Sequence, residues 1–315
     1  MRYQFNGKNY EKVVVWGGGR ALPKYEYAME YIDYIVDKKT ELKGTQMFGL
    51  TIYLPEVIAE EKENILVVVT TFFYLDEIRE NAKAINAKAD VEFITDVFPN
   101  KAVYFAQYRE DAIVEVLLRK HNKNKIKYLE IGVPDPINGS NTYHFYLNGH
   151  TGVCVEANPD MIRSVKDRRP NDEVLCYGCG AIKDEGSNLK FYVIEGRPGA
   201  NTFSEESLEI LTTKGFKCEK QIDVPMISLN SIMSQYLGGE ADFVSIDVEG
   251  YEYTILNDFD FNKYFVGVFC IERGNDKVKA LMLENRYVQV AETPSNWIFM
   301  REAWAEEHKI LLSTN

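Results

Sequence analysis

The stretch ADFVSIDVEGYEYTIL, residues 241–256, joins an apolar run to a helical pattern through a short acidic turn. The apolar run predicts a strand over 242–247, and the spacing after the glycine predicts a helix over 251–256. A strand that passes directly into a helix is the repeating unit of a parallel α/β sheet. Because ligands of such sheets bind beyond the carboxyl ends of the strands, Asp247 and Glu249 are candidate site residues.

Two earlier strands also end on an acidic residue. A predicted strand at 126–131 leads through Glu130 to Gly132, and a predicted strand at 152–156 ends on Glu156. The carboxyl ends of neighbouring parallel strands meet at one edge of a sheet, so these residues should line one crevice. An acid after the second strand can accept both hydroxyls of a ribose, while an acid and a glycine after the first can hold an amine. S-adenosylmethionine carries both groups.

Strands and helices alternate along the whole chain, which predicts two Rossmann-like α/β units. In the first half, strands are predicted at 13–16, 32–37, 50–53, 65–70 and 91–94, with helices at 21–30, 55–61 and 74–87. In the second half, strands are predicted at 126–131, 152–156, 173–177, 188–194, 242–247 and 266–271, with helices at 110–120, 140–147, 159–168, 205–214, 229–236 and 251–256. Pro99 and Asn100 break the pattern, and the predicted domains are 1–108 and 109–315.

The first predicted strand is followed by three glycines, residues 17–19. They permit close approach of a phosphate, and Asp37 lies where such units hold a ribose. Leu22 stands where the fingerprint needs its last glycine, so a tight strand-to-helix turn is the alternative. The first domain is therefore a candidate for binding a nucleotide-linked sugar or an acceptor.

Composition narrows the class of protein. The net charge of −12 argues against a nucleic-acid partner, and no apolar run is long enough for a membrane span. The N-terminus lacks an apolar signal core, which favours a cytoplasmic location. The five cysteines are scattered, and Cys176 and Cys179 form a lone C-x-x-C that predicts packing rather than a metal or redox site.

The second half resembles the FkbM family of S-adenosylmethionine-dependent methyltransferases. The family signature D-x-E-G-x-E is matched at residues 247–252, and further family motifs are matched at Glu130 and Gly132, at Glu156, Asn158 and Pro159, at Ala181, Ile182 and Asp184, at 202–204 and at 227–231. The resemblance covers roughly residues 126–272. The loop at 133–138 departs from the G-A-N-x-G of many relatives, and the N-T-Y at 141–143 is similar to one branch of the family.

The resemblance implies a class I methyltransferase-type doubly wound sheet and an O-methyltransferase acting on a hydroxyl of a sugar or glycan precursor. The implied cofactor-binding residues are Glu130, Gly132, Asn141, Thr142, Glu156, Asn158 and Ala181. We expect Asn141 and Thr142 to contact the methionine carboxylate through free amides at a helix start. The implied acceptor is a small molecule or glycan, and a nucleotide-linked sugar is one candidate.

Asp247 or His144 could take the proton of the acceptor hydroxyl; we expect Asp247 to do so, with Glu249 orienting it or sharing the site. The alternatives are simple packing for His144 and helix entry for Glu249, since an acid suits the first turn of a helix. No metal site is predicted, because two acids are too few for an oxygen-ligand site. The need for a divalent metal stays open.

Two other readings compete with an enzyme of this kind. The first is a non-catalytic module with a methyltransferase-like fold that binds a sugar nucleotide or a partner protein. The second is an oxidoreductase that uses the glycine-rich first half. The helical stretch near the C-terminus, within 297–315, is predicted to pack on the core or on a second chain of an oligomer.

Overall fold

The structure is a computed structural model that describes residues 3–19, 22–70, 74–98, 103–119 and 125–307. The chain divides into two compact units, residues 1–104 and residues 105–315. The predicted break at Pro99 and Asn100 lies outside the described residues, as does the end of the predicted C-terminal helix beyond residue 307. No helix among the described residues is long and apolar enough to cross a membrane.

The first unit is built on a mostly parallel sheet of six described strands in the order β5-β6-β4-β3-β7-β8. A small antiparallel hairpin precedes it, and β5 pairs antiparallel with β6 at one edge. The strands of this unit are β1 (Tyr3–Phe5), β2 (Lys8–Tyr10), β3 (Lys12–Trp16), β4 (Tyr34–Val36), β5 (Gln46–Met47), β6 (Leu50–Tyr53), β7 (Ile65–Val69) and β8 (Ala89–Phe93). The central strands β3 and β7 are apolar on both faces because helical segments cover the sheet.

The helical segments of the first unit differ in type from the prediction. The α-helices are α1 (Leu75–Ile85) and α2 (Ile94–Val97). Leu22–Tyr31 and Pro55–Glu60 are 3₁₀ helices, and a third short one covers Thr40–Leu42. In the first of these, Tyr25 has non-helical backbone angles, which interrupt the regular turn.

The second unit is a doubly wound sheet of seven described strands in the order β11-β10-β9-β15-β16-β18-β17. All neighbours run parallel except β18, which lies antiparallel to both β16 and β17. These strands are β9 (Lys127–Ile131), β10 (Thr151–Glu156), β11 (Glu173–Cys176), β15 (Glu240–Ile246), β16 (Phe265–Glu272), β17 (Tyr287–Glu292) and β18 (Asn296–Arg301). The predicted α/β fold class is confirmed, and the strand order reverses between β9 and β15.

A separate three-stranded sheet in the order β12-β14-β13 belongs to the same unit, with β12 at Gly178–Gly180, β13 at Asn188–Ile194 and β14 at Cys218–Ser228. The helices of this unit are α3 (Glu110–Arg119), α4 (Tyr143–Leu147), α5 (Pro159–Arg168), α6 (Glu205–Thr213), α7 (Leu229–Tyr236), α8 (Glu252–Asn257), α9 (Lys277–Glu284) and α10 (Glu302–Glu307). The strands β12, β14, β17 and β18 and the helix α9 were not predicted. The predicted C-terminal helix at 301–312 is helical over Glu302–Glu307 within the described residues, and β18 directly precedes it.

The core of the second unit lies on both faces of the seven-stranded sheet. One face packs β9, β15 and β16 against α7, α8 and α9, with Phe269 and Met282 fully buried. The other packs α3, α4 and α10 on the sheet through Tyr128, Phe145 and Phe243. Burying large side chains on both faces excludes water from the sheet, which leaves its strand ends as the place for polar groups.

Candidate active site

A cavity of about 430 Å³ opens where β9, β10, β15 and β16 end. This is the crevice at which the strand order reverses. The cavity brings together the larger part of the predicted residues, namely Glu130, Gly132, Asn141, Glu156, Asp247 and Glu249. Its size is within the range of small-molecule and cofactor sites.

Gly132 is the point of closest backbone approach in this cavity. Its φ is +88°, and a Cβ placed on it would lie 1.8 Å from the carbonyl oxygen of Asp247. The amide of Asp247 in turn donates to the carbonyl of Ile131 at 3.0 Å, which ties the ends of β9 and β15 together. Only glycine satisfies both the backbone angle and the contact, so this residue sets the floor of the cavity.

Glu156 ends β10 with a buried carboxylate that faces the cavity. One oxygen accepts the amide of Val133 at 2.9 Å, and the other accepts the amide of Asn158 at 2.7 Å. Burial raises the pKa of this carboxyl to about 7, against the lowering effect of those amides. Each oxygen keeps a lone pair beyond these bonds, so the group can still accept hydroxyls from a ligand.

Glu130 is held by a buried network of donors from its own unit. One oxygen accepts Ser140 Oγ at 2.8 Å, Thr142 Oγ1 at 2.6 Å and Arg169 Nη1 at 2.8 Å, and the other accepts the amide of Asn141 at 2.8 Å. The Arg169 guanidinium is fully buried. A buried carboxylate needs this compensation, and it fixes the loop at 140–142 in place.

The loop at 133–138, which precedes this network, is stabilised by hydrogen bonds within its own turn. Asp135 Oδ1 accepts the amides of Ile137 and Asn138, each at 2.9 Å. Two prolines flank this acid and restrict the backbone further. The loop therefore presents Pro134, Asp135 and Asn138 to the cavity in a preset conformation, without a glycine-rich cradle.

Three carboxylates lie close together in the same cavity, where β15 and β16 end. Oxygens of Asp247, Glu249 and Glu272 all lie within 4.8 Å of one another, and all three residues are partly buried. Glu249 has a φ of +55°, which is strained for a residue with a side chain. Its carbonyl accepts Thr202 Oγ1 at 2.8 Å and Ser207 Oγ at 3.0 Å, and these bonds hold the strained turn.

The close approach of like charges changes the acidity of this cluster. Burial is the largest cause of a raised pKa at Asp247, Glu249 and Glu272, and repulsion between the acids adds to it. The cluster therefore holds protons at a pH where ordinary carboxylates have lost them.

The same cluster offers three oxygen ligands for a divalent cation. Oxygen-ligand sites for Mg²⁺ and Ca²⁺ use about six, so water or a ligand would have to supply the others. The positive charge of a cation would reverse the raised pKa of these acids.

The residues that form this cavity lie largely within a region that matches a known protein family. The family model described as the methyltransferase FkbM domain matches residues 130–288, about half of the chain. This chain belongs to the FkbM methyltransferase family. It is thus an S-adenosylmethionine-dependent methyltransferase by family. No curated protein matches the chain in sequence.

Solved structures similar to the chain are distant. A TehB-like SAM-dependent methyltransferase from Corynebacterium glutamicum is 10% identical, with 62% of this chain and 88% of that one covered and a TM-score of 0.31. A Thermoplasma acidophilum protein is also 10% identical, with 62% and 90% covered and a TM-score of 0.30. The family assignment rests on the matched FkbM domain.

The remaining predicted residues do not line the cavity of the FkbM domain. Thr142 lies in the Glu130 network, and the Asn158 side chain accepts the amide of Asp160 at 3.1 Å to cap α5. Ala181 is buried before a short 3₁₀ turn at Ile182–Asp184. His144 is buried on α4, with its Nε2 3.4 Å from a carboxylate oxygen of Glu115.

Sequence reasoning did not select several residues that line the cavity. Glu272 ends β16, and the rule that selected Asp247 at the previous strand end would have found it. Asn201 lines the wall formed by the three-stranded sheet. Its Oδ1 accepts the amide of Ile194 at 2.9 Å, while its buried Nδ2 has no partner among the described residues. Phe191 and Phe203 pack beside it with ring centroids 4.6 Å apart.

Proposed function

We propose that the protein is an O-methyltransferase that acts on a hydroxyl of a sugar or glycan precursor. The observation that carries this proposal is the carboxylate cluster of Asp247, Glu249 and Glu272, which shares one cavity with Glu156. One part of the cavity suits a nucleoside, and the other suits removal of a proton.

The cofactor part of the cavity fits S-adenosylmethionine by its chemistry. Glu156 has spare lone pairs for ribose hydroxyls, and Gly132 leaves the backbone bare where the strand ends. When bound, S-adenosylmethionine supplies a methyl group already activated by a positively charged sulfur. The protein's task is then chiefly to position this group, which is worth several kcal/mol.

The structure suggests a changed role for Glu130 and Asn141. The Glu130 carboxylate already accepts four internal donors, and Asn141 Nδ2 donates to Ser245 Oγ at 2.9 Å. We infer that both residues hold the loop at 133–142 against the ligand. Other polar groups that line the cavity, among them Asp135 and Asn138, would then contact the methionine ammonium directly.

Asp247 is our candidate for the general base. Its raised pKa makes the carboxylate a stronger base than an ordinary aspartate, and the best base at neutral pH has a pKa near 7. Asp247 would take the proton of the acceptor hydroxyl, and S-adenosylmethionine would supply the activated methyl group to that oxygen. Burial and repulsion from Glu252 disfavour the negative charge of Asp247, so uptake of that proton is favoured.

The part of the cavity that we assign to the acceptor, lined by Asn201, Phe203 and Tyr177, has the features that a sugar requires. Asn201 Nδ2 is a buried donor without a partner among the described residues, and such a group costs stability unless a ligand satisfies it. Phe203 and Tyr177 line the same cavity and can cover the apolar face of a sugar ring. Carboxylates on the facing wall accept hydroxyls, so donors and acceptors are both present.

The test is methyl transfer to a panel of free and nucleotide-linked sugars by the wild type, Asp247→Asn and Glu209→Gln. Glu209 is an exposed acid on α6 and serves as the matched control. We expect Asp247→Asn to bind S-adenosylhomocysteine normally and to lose about 10²–10⁴-fold in turnover. Full turnover in this variant would refute the base assignment, and failure of the wild type to methylate any hydroxyl would refute the proposed reaction.

A further inference from the structure

The first unit has a second cavity, of about 490 Å³, at the carboxyl ends of its own strands. From β3 the chain passes to β4 and β6 on one side and to β7 and β8 on the other, so the order reverses between β3 and β7. Ligands of doubly wound sheets bind at this reversal. The lining residues follow those strands in the chain: Gly17 and Gly19 after β3, Asp37, Lys38 and Lys39 after β4, and Thr70 after β7.

Within the described residues, the glycine loop has one backbone amide without an internal acceptor. The amide of Gly17 donates to the carbonyl of Val36 at 2.8 Å, and that of Gly18 donates to Asp37 Oδ2 at 2.7 Å. The amide of Gly19 has no hydrogen-bond acceptor among the described residues, and a Cβ on Gly19 would meet nothing within 4 Å. A bare backbone with a free amide is suited to an anionic oxygen.

Asp37 ties the two loops of this cavity together. Its carboxylate is buried and accepts the amide of Gly18 through one oxygen and the amide of Lys39, at 2.9 Å, through the other. Each oxygen therefore retains acceptor capacity for a ligand hydroxyl. An acid at this place after the second strand of a doubly wound sheet is where a ribose is held.

The charged groups of the cavity favour an anion. Lys38 pairs with Glu77 at 2.6 Å, which neutralises both. The Lys39 ammonium is exposed and has no ion pair among the described residues. Tyr74, 41% exposed, lines the same cavity and offers an aromatic face on which a base can stack.

The replacement of the last fingerprint glycine does not affect these groups. That glycine serves the close packing of a helix on the strand, not the phosphate contact. Here Leu22 is fully buried and begins a 3₁₀ helix, Leu22–Tyr31. This helical segment therefore packs through a buried leucine and not through a glycine.

We propose that this cavity binds a nucleoside diphosphate group, with its phosphates at Gly19 and Lys39 and its ribose at Asp37. The group is shared by nucleotide sugars and dinucleotides. The site is separate from the cofactor cavity of the FkbM domain, and it does not depend on the proposed methyl transfer.

The experiment is calorimetric titration of UDP-glucose and of NAD⁺ into the full chain. The variants are Gly19→Leu, which fills open space, and Lys39→Glu, with Lys43→Glu as the matched control because Lys43 is exposed and outside the cavity. We expect one of the two ligands to bind, Gly19→Leu to abolish binding, and Lys39→Glu to weaken it about tenfold or more, as reversal of one phosphate contact does. Lys43→Glu should bind as the wild type does.

Titration of S-adenosylhomocysteine into the same variants separates this proposal from the proposed function. Its affinity should be unchanged in every variant, which also shows that the chains are folded. If neither UDP-glucose nor NAD⁺ binds at millimolar concentration to a chain that binds S-adenosylhomocysteine, the proposal is overturned. Binding that survives both Gly19→Leu and Lys39→Glu would overturn it as well.

Discussion

Replacing Gly132 by alanine tests the close backbone approach that shapes the proposed cofactor cavity. The substitution has two costs. A residue with a side chain at a φ of +88° is strained by about 1–3 kcal/mol, and a Cβ 1.8 Å from the carbonyl oxygen of Asp247 forces the ends of β9 and β15 apart. Forced displacement in a packed region costs a further ~1–3 kcal/mol. We expect the free energy of unfolding of the second unit to fall by roughly 2–6 kcal/mol.

Gly149→Ala is the matched control for this experiment. Gly149 has the same φ of +88°, but a Cβ there would meet nothing within 4 Å. Its substitution should cost only the backbone strain of about 1–3 kcal/mol. Urea denaturation of both variants, followed through the transition that S-adenosylhomocysteine shifts, measures the two values. Equal losses in the two variants would refute the close-approach argument, whatever their size.

Three further predictions follow from the two walls of the cavity. Arg169→Met should destabilise the second unit by about 3–5 kcal/mol in urea denaturation, because Glu130 would be a buried charge without its cation; a loss below about 1 kcal/mol would contradict this network. Burial holds a proton on Glu156 up to a pKa of about 7, so S-adenosylhomocysteine should bind more tightly as the pH rises through 7 and the carboxylate forms. Glu156→Gln should flatten this dependence, and an unchanged slope would exclude Glu156 as its source. EDTA should leave turnover unchanged if Asp247 acts as a base alone; a loss restored by Mg²⁺ would show that Asp247 and Glu272 hold a cation.

The strand ends of the second unit were predictable from the sequence. A short apolar run that ends at an acidic residue indicates a buried strand that reaches the edge of its sheet. Glu156 and Asp247 lie at such strand ends. The boundaries of α5 and α7 match the prediction, and in the structure Asn158 and Ser228 cap these helices through their side chains. Local signals of this kind act within a few residues.

Other features depend on contacts between distant parts of the chain. The Glu130 network includes Arg169, 39 positions away, and no periodicity indicates that this arginine is fully buried. The long strand β14 contains Pro225 and several charged residues, so its pattern resembles a loop. It forms a strand because β13 and β12 pair with its two sides. His144 is similar, since its neighbour Glu115 lies on a different helix.

The measurement that tests the central claim most directly is calorimetric titration of S-adenosylhomocysteine into the wild type and into Glu156→Ala. The account predicts micromolar binding to the wild type and a loss of at least about tenfold in the variant, since two acceptors for the ribose hydroxyls are removed. Equal affinity in the two proteins would contradict the placement of the cofactor at the end of β10. Absence of binding to the folded wild type would contradict cofactor use by this cavity altogether.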